Sequence, residues 1–137
     1  MNIRPQVFAS ESPMTPGAGD VFATLPLATY QPGEIILAEG SKTGRLWILK
    51  KGAVAVVRQG IEIARVTEPG AVFGDLSVLL DTPHTADVRA LEFSVFHVAD
   101  AARSLQDPAF LVHVARVLAQ RLNGANQALI ESKTKSS

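Results

Sequence analysis

The residues best suited to chemistry in this chain lie between Pro69 and Val88, which read Pro-Gly-Ala-Val-Phe-Gly-Asp-Leu-Ser-Val-Leu-Leu-Asp-Thr-Pro-His-Thr-Ala-Asp-Val. Two glycines, an acid, a short apolar helical turn and a polar run are packed into one strand-to-strand connection. Glycine lets backbone approach a ligand where a side chain would block it. Backbone amides at the start of a short helix point toward an anion. Gly74 and the amides of Leu76 and Ser77 therefore read either as an anion cradle or as a tight turn that needs only positive φ. Asp75 reads as an N-cap of the turn Leu76 to Leu80, as an acceptor for a ligand hydroxyl, or as both.

This stretch resembles the phosphate-binding cassette of cyclic nucleotide-binding domains, the family of the catabolite activator protein and the regulatory subunits of cyclic-AMP-dependent kinases. The family pattern runs Phe-Gly-Glu-Leu-Ser-Leu-Leu, a few residues, then Pro-Arg-(Ser/Thr)-Ala-x-Val. Phe73, Gly74, Leu76, Ser77, Thr85 and Ala86 match it, whereas Asp75 replaces Glu and His84 replaces Arg. The resemblance implies a ligand, cAMP or cGMP, and no other cofactor and no metal. Asp75 would take the ribose hydroxyl with a side chain one methylene shorter than usual. Thr85 would reach the phosphate, and Ala86 would leave room beside it. Asn126, on the segment that closes over the base in the family, either meets an adenine edge or is exposed polar helix surface.

His84 keeps three readings. Arginine is always charged and bidentate, whereas histidine titrates near pH 6.5 and offers one donor per ring edge. His84 binds phosphate with an affinity that rises on protonation, or the pocket has lost nucleotide, or amides and Thr85 suffice without it. Arg89 is a poor substitute, because its odd offset along an extended strand turns it to the opposite face.

The elements that must position this cassette are short strands separated by glycine-bearing turns. Pro32-Gly33, Gly40 to Gly44, Lys51-Gly52 and Arg58-Gln59-Gly60 break apolar runs every eight to twelve residues, and that spacing predicts a sandwich or jelly roll. Expected strands cover 29–31, 34–39, 45–50, 53–57, 61–66, 85–91 and 93–98. From Asp107 the period becomes helical, with Pro108 a favoured first residue. Leu111, Ala115, Leu118, Leu122, Ala125 and Leu129 form a heptad seam on a helix on the order of 35 Å long. Phe110, Val114 and Val117 form a second stripe that can lean on the barrel. The stripes read either as one wide face packed on the same domain or, as two stripes favour, as a helix serving the barrel and a partner helix at once, with Gly124 permitting a hinge.

The fold expected is mainly β: a double-stranded β-helix (jelly-roll) barrel over about 28–99 with flanking helices and a long C-terminal helix over about 107–131. Residues 1–19, rich in Ser, Pro and Gly, read as a flexible arm, Asp20 as the cap of a short turn, and 20–137 as one domain. At 137 residues and 47% hydrophobic the chain is globular. Zero net charge and zero cysteines argue against a nucleic-acid footprint, a disulfide scaffold and thiolate chemistry. No apolar run approaches a membrane span, so a cytoplasmic location without membrane or direct nucleic-acid contact is expected. His84, His97 and His113 are too scattered for a metal centre, with His97 read as a packed or edge strand residue and His113 as solvated on the helix, and no catalytic triad or phosphate-binding Walker loop stands out, so an enzyme is not expected. The resemblance, with the second stripe on the last helix, thus implies a regulatory module that binds a cyclic nucleotide, forms a homodimer and signals through its last helix to an effector protein. The alternative is a degenerate domain that mediates dimerisation or protein interaction without nucleotide.

Overall fold

The computed structural model describes residues 2–3 and 22–135, and their elements are strands and three helices. One sheet has the order β1-β2-β9-β4-β7, built from Asn2–Ile3, Leu27–Tyr30, Ser94–Asp100, Arg45–Lys51 and Val72–Phe73. The other has the order β3-β8-β5-β6, built from Ile35–Leu37, Asp87–Ala90, Val54–Arg58 and Ile61–Val66. Every pairing is antiparallel. The helices are α1 (Asp75–Leu80), α2 (Ala101–Ser104) and α3 (Pro108–Lys135).

Strand β4 explains the layering. Its Leu46-Trp47-Ile48-Leu49 run is buried without a polar break, the pattern of a strand covered on both faces. Successive side chains point to opposite sides. Trp47 and Leu49 join Tyr30, Phe73, Phe96 and Val98 in a core between the sheets. Leu46 and Ile48 join Val72, Phe22, Phe110 and Val114 in a second core under α3. The expected barrel-facing stripe of the last helix is thus in place. Trp47 Nε1 donates to Tyr30 Oη at 3.2 Å, so the indole N–H buried in the first core has its acceptor.

Between residues 27 and 104 the elements fall close to where the turn spacing put them, with two short additions. Val72–Phe73 pairs with β4 as β7, and Ala101–Ser104 forms α2; both are too short for a period to register. Helix α3 runs to Lys135, beyond the expected end near residue 131, and passes through Gly124 without a break. Asn2–Ile3 pairs with β2 rather than remaining loose, while the rest of the expected arm and the Asp20 cap lie outside the described residues.

His97 on β9 and His113 on α3 both pack against Phe22. His113, expected in solvent, instead places Nε2 3.0 Å from the Gly70 carbonyl and stacks edge-on against Phe22, with ring centroids 4.8 Å apart. His97 faces Phe22 from β9, and its Nδ1 is buried without a hydrogen-bond partner. Burial, with the nearby Lys50 charge, pushes its pKa down to about 4, so the ring is neutral at pH 7.

Candidate functional site

Strand β7 delivers the chain to Gly74, which occupies the N-cap position of α1 at φ +92°. A Cβ there would also lie 2.7 Å from the backbone oxygen of Arg45. Glycine is therefore required twice, by conformation and by space. Asp75, the first residue inside the helix, makes no capping bond, so the capping alternative for its side chain is set aside. The amides of Leu76 and Ser77 open the helix, where no carbonyl of a preceding turn exists to receive them.

The other end of α1 is closed by its own residues. Ser77 Oγ donates to the Thr82 carbonyl at 2.5 Å, and the Thr82 amide donates to the Ser77 carbonyl at 3.1 Å. The Ser77 hydroxyl is thereby occupied in holding the loop. Asp81 turns the chain with φ +54° and pairs with Lys42 at 2.6 Å on the surface.

His84 is fixed by its backbone. Its amide donates to the Ser41 carbonyl at 2.7 Å, and its carbonyl accepts from the Gly40 amide at 2.8 Å. The residue is 5% exposed, with Nε2 3.3 Å from Thr43 Oγ1. Burial lowers its pKa from the ordinary histidine value, which favours the neutral ring at pH 7.

These residues line one cavity of about 370 Å³. Phe73, Gly74, Asp75, Leu76 and Ser77 form one wall, and His84, Thr85 and Ala86 another. Leu37 and Val88 supply apolar lining, with Val56, Ala64 and Val66 from the β5–β6 hairpin. Arg89 is exposed beside the buried Val88 on β8, as its odd offset requires. Asn126, the remaining predicted site residue, is exposed and does not line the cavity.

What α3 contributes instead is Arg121. Its Nη1 donates to Asp75 Oδ2 at 2.8 Å, and its Nη2 donates to the Val72 carbonyl. The Asp75 side chain is 6% exposed and that of Arg121 43%, so the helix covers a buried acid with a half-buried cation. Sequence reasoning passed over Arg121, although a signal was present. The barrel-facing stripe Phe110, Val114, Val117 continues at the next helical step to residue 121.

Residues 27–106 match the cyclic nucleotide-binding domain family. The chain belongs to that family. Among curated relatives, this cyclic nucleotide-binding domain is similar to a cGMP-dependent protein kinase of Eimeria tenella. The two are 38% identical over 71 residues, covering 52% of this chain and 7% of the kinase. The chain thus matches less than a tenth of that relative's length. Among solved structures, the Thermus thermophilus catabolite activator protein superposes with a TM-score of 0.69 at 21% identity, covering 91% of this chain and 63% of the other. A structure described as "Sp-2Cl-cAMPS bound to PKAR CBD2" superposes with a TM-score of 0.67 at 25% identity, covering 88% and 81%. The two-sheet architecture with flanking helices and a long C-terminal helix is the fold of these domains. Among the described residues, no helix of the domain is long and apolar enough to cross a membrane.

Proposed function

We propose that this domain binds a cyclic nucleotide, cAMP or cGMP, in the cassette cavity and acts as a regulatory module that transmits occupancy through α3. One observation carries the reading: the cassette and a side chain of the last helix meet in the same cavity, joined by the Asp75–Arg121 ion pair. Gly74 and the amides of Leu76 and Ser77 cradle the cyclic phosphate, with Thr85 Oγ1 adding a donor. Asp75 accepts from the ribose hydroxyl. A carboxylate offers about four lone-pair sites, so it can hold that hydroxyl and Arg121 together. Phe73, Leu76, Ala86 and the apolar lining from β5 and β6 surround the remainder. The solved relative's bound cyclic-AMP analogue and the kinase relative's named ligand support the ligand class.

Calorimetric titration tests it. Saturable binding of cAMP or cGMP at one site per chain is expected. No heat and no thermal stabilisation with either nucleotide at millimolar concentration would sink the reading.

A second reading, as a dimerisation module able to engage an effector protein, is favoured by the outer face of α3. Leu111, Leu122, Leu129 and Ile130 are exposed there at 44, 64, 56 and 60%. Leu111, Leu122 and Leu129 belong to the heptad seam, whose apolar side chains bury on pairing with a second helix, whereas Leu118 of that seam packs instead on the core under α3. Sedimentation of the full chain should give a dimer that Leu122→Asp converts to monomer. A monomer at every concentration would remove this reading and leave the first untouched.

A further inference from the structure

The cavity has an unusual charge inventory for an anion site. Asp75 and Arg121 are the charged side chains that line it, and they are paired with each other at 2.8 Å. Their charges cancel, so no unspent cation faces the ligand from the described lining residues. Cations on the elements packed around His84 do not repair this. Lys42 pairs with Asp81 at 2.6 Å, and the Arg45 side chain is exposed while its carbonyl abuts Gly74. The acids nearby are also engaged: Asp87 accepts from the Glu39 amide at 2.6 Å, and Glu39 accepts from the Gln59 amide at 2.9 Å. A cyclic phosphodiester remains a monoanion across the physiological range, and burying an unpaired charge is strongly unfavourable. One lining group can change its charge to meet it. His84 lines the cavity, is almost wholly buried, and among the described residues uses Nε2 on the neutral hydroxyl of Thr43.

We propose that His84 takes up a proton as the cyclic nucleotide enters, becoming the imidazolium that counters the phosphodiester charge, so that ligand binding and acidity are sensed together. This rests on the cavity being a cyclic nucleotide site. Protonation makes both ring nitrogens donors, so His84 can keep Thr43 as an acceptor and offer its second N–H to the ligand. The free ring is held neutral by burial, and an adjacent anion favours the charged form. The ring's pKa is therefore below its ordinary value when the cavity is free and rises when the cavity is occupied. Affinity is then full below the free-state value and falls as pH rises between the two, by about tenfold per pH unit.

The test is titration of the full chain with cAMP and cGMP from about pH 5.5 to pH 8.5, repeated at one neutral pH in buffers of different ionisation enthalpy. The expected result is uptake of close to one proton per bound ligand, from the slope of heat against buffer enthalpy, with a matching fall in affinity as pH rises. His84→Arg should bind without proton uptake and with a flat pH profile, whereas His84→Gln should bind weakly at every pH. The proton-uptake measurement uses the unaltered protein, so it stands even if a variant fails to fold. Binding with no proton uptake and no pH slope overturns the inference while leaving the cyclic nucleotide site intact. Binding of uncharged adenosine or guanosine with no binding of either cyclic nucleotide at any pH overturns both.

Discussion

Gly74→Ala is expected to lower stability by about 3 kcal/mol and to abolish ligand binding. Two separate costs add at this position. Holding a residue with a Cβ at φ +92° costs on the order of 1–3 kcal/mol. The new Cβ also lies 2.7 Å from the Arg45 carbonyl oxygen, a backbone atom in the seven-residue strand β4, so relief must come from moving β7 or α1. Either movement displaces the amides of Leu76 and Ser77, and with them the proposed phosphate cradle. Gly60→Ala is the matched control. Gly60 has φ +79°, but nothing lies within 4 Å of its prospective Cβ, so it should incur the conformational cost alone, about 1 kcal/mol. Urea unfolding of the two variants separates the terms. Equal losses would mean that the close approach of the Arg45 carbonyl contributes nothing.

The same stretch shows what the sequence made legible. Phe73-Gly74-Asp75-Leu76-Ser77 and His84-Thr85-Ala86 were readable as one site because a cassette is local: its spacing is fixed by one turn, one short helix and one loop. The long strands and the last helix were readable because hydrophobic periodicity is also local. What escaped depended on contacts across the fold. His113 looked like a solvent-facing residue next to Val114, but the Gly70 carbonyl and Phe22, 43 and 91 positions away in sequence, make a pocket for it. Asn126 is exposed, the second of its two readings, since an amide suited to a purine edge does not by itself set the azimuth of a helical residue. Arg121 carries the right azimuth, one step beyond Val117 on the barrel-facing stripe. Its contact emerges only when that stripe is placed over Asp75, 46 positions earlier. The cassette was thus visible in the sequence, while the connection that couples it to the helix was not.

That connection makes Arg121 the residue whose loss should most affect transmission. In Arg121→Met the buried carboxylate of Asp75 loses its counter-charge and the Val72 carbonyl loses a donor. Removing one partner of a buried pair costs about 3–5 kcal/mol. Here the arginine side chain is 43% exposed, and solvent screening reduces the expected loss to about 2 kcal/mol. Asp75→Asn in the same background removes the stranded charge and should restore about half of that, giving a coupling energy of roughly 1 kcal/mol or more in a double-mutant cycle. Ligand affinity should fall as well, because the Asp75 carboxylate then lines the anion site without its counter-charge, so exchange is compared at saturating nucleotide. Transmission should respond most. In the native protein an occupied cavity adds a hydroxyl to Asp75 while Arg121 still grips it, so ligand should slow amide exchange along the Ala115–Ala125 stretch of α3. In Arg121→Met the ligand should still protect α1 and β8, but leave that stretch of helix unchanged. Ligand-dependent protection of α3 that survives the substitution would show that the barrel-facing contacts of Phe110, Val114 and Val117 carry the signal, with the ion pair serving only to bury Asp75.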